Sequence, residues 1–118
     1  MTDAGPLELT SAQRKTLRRL AHDLRPVVQI GEAGLTDRVL AALEDALAIH
    51  ELIKVKINHD RDERREMAER AARDTGSALA GSVGRISILY RPSADPEQRS
   101  IDLVAGRRRA PSSEGAEG

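Results

Sequence analysis

The stretch Pro26-Val27-Val28-Gln29-Ile30-Gly31-Glu32-Ala33-Gly34-Leu35-Thr36 constrains this chain more than any other. Proline fixes φ and suits the first position of a strand, and the β-branched residues behind it continue one. Two glycines three residues apart then break the run, and Thr36 can cap a helix by accepting from a first-turn amide. The reading is strand, G-x-x-G turn, helix. Amides beside a helix N-terminus, where the dipole is positive, suit a phosphate. Any tight strand-to-helix turn can also use glycine at both ends, so the loop alone leaves both readings open.

Upstream, Thr10-Ser11-Ala12-Gln13 matches a capping box and predicts a helix to about His22. Leu17, Leu20, Ala21 and Leu24 gather on one face, and Arg14, Lys15, Arg18, Arg19 and His22 fill the adjoining arc. From Leu9 to Ile30 the chain carries five basic residues, the fifth being Arg25, against the single acid Asp23. Solvated faces usually mix signs, so this one reads as a surface for a polyanion.

Downstream, Leu35, Val39, Leu40, Leu43, Ala46 and Leu47 recur at helical spacing, with Asp37, Glu44 and Asp45 outside. The next run alternates, placing Ile53, Val55 and Ile57 opposite Lys54 and Lys56, which extend a basic surface. Asp60 or Asp62 opens a third helix from Arg61 to about Thr75, and Gly76 stops it. Its apolar arc is Met67, Ala68, Ala71 and Ala72, while its mixed outer face reads as an ordinary salt-bridged surface. Ser77 to Val83 and Ile86 to Arg91 flank a Gly84-Arg85 turn and predict a hairpin. Residues 1–8 read as a disordered lead, 9–92 as the domain, and 93–118 as a disordered tail whose Arg107, Arg108 and Arg109 form an auxiliary arm. The expected fold is mixed α/β in the order α-β-α-β-α-β-β, with right-handed crossovers and a four-stranded mixed sheet whose last pair is antiparallel.

Charge over the whole chain cancels at 19 basic and 19 acidic residues, but residues 9–91 hold fifteen Lys/Arg against twelve Asp/Glu. The absence of cysteine excludes disulfides and thiolate metal sites. No apolar run approaches the roughly 20 residues that span a bilayer, and the N-terminus lacks a signal-peptide pattern, so a cytoplasmic location is expected. Tyr90 is the only aromatic residue, which excludes the ring platforms on which many RNA-binding modules stack bases. Any nucleic acid must be held through backbone and charge. His22, His50 and His59 fall in different elements without ligand spacing, and no nucleophile elbow, Walker loop or dinucleotide fingerprint is present. Neither catalysis nor a metal nor a cofactor is expected.

Four blocks, taken together, are more specific than the glycine pair. Leu20-Ala21-His22, the run from Pro26 to Thr36, His50-Glu51-Leu52-Ile53-Lys54-Val55-Lys56-Ile57 and Leu89-Tyr90-Arg91-Pro92 closely resemble the CRM domain, and within it the stand-alone bacterial YhbY-like proteins. The resemblance covers about residues 9–92. It implies a fold similar to the C-terminal domain of bacterial translation initiation factor three. It also implies RNA binding and association with precursors of the large ribosomal subunit; a monomer without a DNA preference is expected. Carried across, the RNA-binding loop is Gly31, Glu32, Ala33 and Gly34, with Arg14, Lys15, Arg18, Arg19, Arg25, Lys54 and Lys56 around it. Glu32 sets an acid in the proposed cradle. The rival reading is a protein-interaction adaptor using the acidic face of the second helix or the tail.

Overall fold

A computed structural model describes residues 8–103 and 105–108. Three helices, α1 (Ser11–Ala21), α2 (Asp37–His50) and α3 (Arg61–Thr75), alternate with β1 (Pro26–Ile30), β2 (Leu52–Ile57) and the pair β3 (Ala78–Val83) and β4 (Ile86–Tyr90). The ends follow local chemistry. Thr10 and Gln13 close a reciprocal capping box on α1, Thr36 caps α2, and Asp60 rather than Asp62 caps α3. Gly76 ends α3 in the left-handed conformation, at φ 67°.

The sheet runs β1-β2-β4-β3. β1 and β2 are parallel, and β4 is antiparallel to both of its neighbours. This is the expected mixed four-stranded sheet, and the structure supplies the strand order. Alternation along β2 divides the molecule into two cores. Ile53, Val55 and Ile57 pack with Ile30, Leu43, Leu47, Ala68, Ala71 and Leu89 under α2 and α3. Leu52 faces the other way, with Leu17 and Ala21 of α1 and with Ala80, Ile88 and Tyr90. Tyr90 is 3% exposed, so the one aromatic ring belongs to the core and is closed to bases. Burial, and then the nearby Glu51 charge, raise its phenol above the ordinary value.

One correction concerns the tail. Residues 93–103 were expected to be disordered, yet they return across the α1 face, and Ile101 is 4% exposed in the smaller core. A short 3₁₀ turn, Pro96–Gln98, leads into the two-residue strands β5 (Ile101–Asp102) and β6 (Arg107–Arg108). The anchor is Glu51, a buried acid at φ 63° between α2 and β2. Its carboxylate accepts from the Ser93 amide (2.8 Å), the Ser100 amide (2.9 Å) and the Ser100 hydroxyl (3.0 Å). A buried carboxylate needs such donors, and these come from the segment beyond Pro92. Residues 1–7 of the lead, and Arg109 onward in the tail, lie outside the described residues.

Candidate nucleic-acid interface

The Gly31–Gly34 loop is a tight turn in which the Gly34 amide donates to the Gly31 carbonyl (3.0 Å) and the Thr36 amide to the Gly34 carbonyl (3.0 Å). The two glycines differ in role. Gly34 is buried at φ 76°, and a Cβ there would lie 3.4 Å from Met67 Cε. Gly31 is exposed, lacks a positive φ, and has open space where a Cβ would stand. Glu32 and Ala33 form the exposed tip. Among the described residues, the amides of Glu32, Ala33 and Leu35 have no internal acceptor. The Gly34 amide is spent inside the turn, so a phosphate cradle here rests on the tip amides.

His59 fixes this loop from α3's side, a contact with no local signal in the chain. Its Nε2–H donates to the Gly31 carbonyl at 2.7 Å, and Nδ1 lies 3.4 Å from Glu63 Oε1. A carbonyl only accepts, so the proton must sit on Nε2. A second proton, on Nδ1, then points at the carboxylate. The carbonyl first, and then Glu63, accordingly raise the pKa of the imidazole above its ordinary value, against a lowering effect of partial burial. The neighbouring Asn58 amide donates to the Ile30 carbonyl, so the β2–α3 turn and the end of β1 are joined twice.

The sheet register brings several of the expected basic residues together. Lys54 pairs with Pro26, next to Arg25, and Lys56 pairs with Gln29, two residues before Gly31. Both lysines project to the α1 side, because Val55 between them is in the opposite core. Lys56 is exposed, whereas the Lys54 ammonium donates to the His22 carbonyl at 3.1 Å and closes the end of α1. The basic arc of α1 divides. Arg18 lies over Gly81, with its guanidinium 3.5 Å from the Ala80 carbonyl, while Arg19 reaches away to the Gly106 carbonyl. Arg14, Lys15 and Arg25 are exposed. Beside them, Val27 is 51% exposed, leaving part of the sheet open next to the lysines. Among the described residues no group of His, Asp and Glu could hold a metal. No described helix is long and apolar enough to cross a membrane.

The chain is similar to known proteins over most of its length. A protein of Haemophilus influenzae named RNA-binding protein is 44% identical over 96 residues, spanning 80% of this chain and 94% of its own. A probable RNA-binding protein of Pseudomonas aeruginosa is 40% identical over 103 residues, covering 85% of this chain and 99% of its own. The solution structure of a Staphylococcus aureus protein, described as a candidate RNA binder, superposes with a TM-score of 0.70 at 32% identity, covering 80% of this chain and all of that one. The model of the CRS1 / YhbY (CRM) domain matches residues 9–91, from the residue before the capping box to the arginine that follows β4. With the glycine turn, the lysine strand and the sheet all inside that span, the chain belongs to the CRS1/YhbY (CRM) domain family.

Proposed function

We propose that this protein binds RNA without catalysis, as a monomer and with no cofactor, and that its target is RNA in precursors of the large ribosomal subunit. The strand register carries the reading: it lines Arg25, Lys54 and Lys56 along one side of the sheet toward the exposed tip Glu32-Ala33. On the same face, Arg18 of α1 adds a cation over β3 at the far edge of the sheet, and Arg14 is exposed on the same helix. Such a track offers cations and free amides to a phosphate backbone, and no ring to a base. The names of the relatives support RNA as the ligand, and the resemblance to YhbY-like proteins supports the ribosomal target. An adaptor role for the acidic face of α2 has less support, because Glu44 is engaged by Arg91 at 2.6 Å.

The test is binding of a large-subunit ribosomal RNA fragment across a salt series. Three or four phosphate contacts give log affinity a slope of about −2 to −3 against log salt, at ~0.7 per contact on single strands. An affinity indifferent to salt refutes the phosphate track. Crosslinking in cells tests the target, and crosslinks confined to other RNAs refute its ribosomal part.

A further inference from the structure

On the sheet face opposite α1, the first turns of α3 stand off the β3–β4 hairpin and leave a groove of about 470 Å³. Small residues on the hairpin side explain the gap, since Ser82, Gly84 and Ser87 fill little space. The groove is polar in a particular way. Arg61, Arg64 and Arg65 line it against the single acid Glu69. Ser87 is 5% exposed, with its hydroxyl 3.3 Å from that of Ser82. Two hydroxyls sharing one hydrogen bond leave one hydroxyl hydrogen available to a ligand.

The guanidinium groups retain donors as well. Arg64 gives one N–H to the His59 carbonyl (2.8 Å), Arg65 makes an exposed 3.5 Å pair with Glu69, and Arg61 has no partner among the described residues. Forked donors above a buried hydroxyl match the oxygens of a phosphate. The groove also adjoins the glycine loop through one residue, because His59 holds Arg64 by its carbonyl and Gly31 by its ring.

We infer that this groove is a second phosphate site, which takes a backbone phosphate of the same RNA strand after it passes the Gly31–Gly34 loop. The inference rests on the RNA-binding reading above. It extends the track from the α1 side around the end of the sheet, onto a helix face whose charges look like routine surface pairs.

Arg61→Glu is the decisive variant, because an acid in the first turn of α3 favours the helix dipole and leaves folding intact. With the full chain and a fluorescent single-stranded RNA, it should weaken binding roughly threefold to tenfold and make the salt slope shallower by about 0.7. Glu69→Gln should tighten binding by removing the opposing charge. Lys56→Glu, on the other side of the sheet, serves as the control for the primary track. If Lys56→Glu weakens binding while Arg61→Glu and Glu69→Gln do nothing, the groove is not a phosphate site and the primary reading stands. If the wild-type protein shows no salt-dependent binding, both fail. In a parallel amide-shift titration, the RNA should move the Ser82, Gly84 and Ser87 resonances. Shifts there with inorganic phosphate alone, which the RNA does not reproduce, would overturn the assignment to RNA.

Discussion

His59 and Gly31, 28 residues apart in the chain, are joined by a 2.7 Å hydrogen bond from an imidazole N–H to a loop carbonyl. Because the pKa of His59 is raised in the fold, the stability it adds is fully present below about 6.5, the unfolded-chain value. It fades as pH rises through the higher folded-state pKa. Proton NMR should therefore give His59 a titration midpoint above 6.5, and the loop amides should exchange faster at pH 8 than the intrinsic rate change explains. In His59→Gln, whose side-chain amide can still donate to Gly31, that excess pH dependence should vanish. A midpoint at or below 6.5 would contradict the proposed tie.

The loop glycines should respond unequally. Gly34→Ala forces a Cβ into a left-handed conformation beside Met67, at a cost of about 1–2 kcal/mol. Gly31→Ala meets neither obstacle and should melt with the wild type. Glu32→Lys removes the acid from the exposed tip and should strengthen RNA binding by about 0.5–1 kcal/mol, the scale of a charge near a helix N-terminus. Melting curves and RNA titrations on the three variants decide the matter. Equal destabilisation by both alanines would contradict the division of roles.

Charge reversal on α1 should also separate two neighbours. Arg18→Glu leaves the C-terminal hairpin alone and should weaken RNA binding. Arg19→Glu loses the contact with the Gly106 carbonyl and should loosen β5 and β6, which amide exchange at residues 101–108 would reveal. Identical exchange in the two variants would mean that Arg19 does not hold the hairpin.

Deleting residues 95–118 should lower the melting temperature markedly. The deletion removes Ile101 from the smaller core and takes two of the three donors from the buried Glu51 carboxylate. Each loss is worth about 1–3 kcal/mol. Because 1 kcal/mol shifts a domain of this size by about 4–8 °C, a fall of ten degrees or more is expected. Melting within a degree or two of the full chain would show that the return segment contributes nothing.

The elements were legible in the sequence because their signals are local. A capping box at Thr10 and Gln13, caps at Thr36 and Asp60, and the stop at Gly76 each act within one turn, so the helix ends are placed closely. Strand order was not legible, since alternation along Leu52–Ile57 reports faces and not neighbours. The same limit hid His59, whose partner lies 28 residues away, and the arginines of α3, which look like a solvated face until the hairpin is set opposite them. Ile101 was missed because a two-residue strand has no periodicity to read. Glu51 was passed over because its donors come from a polar segment that reads as disordered.

Tyr90 gives the division of the core an optical consequence. The chain has one tyrosine and no tryptophan, and that ring lies wholly in the smaller core with Leu17, Ala21 and Ile101. Its emission therefore monitors the layer beneath the basic helix and is nearly blind to the layer under α2 and α3, which carries most of the helical circular dichroism. Ellipticity and fluorescence recorded on one sample become readouts of opposite sides of the sheet. If α1 and the returning segment detach first, the fluorescence transition comes before the ellipticity transition, and the gap between the two midpoints measures how far the α1 layer moves independently of the rest.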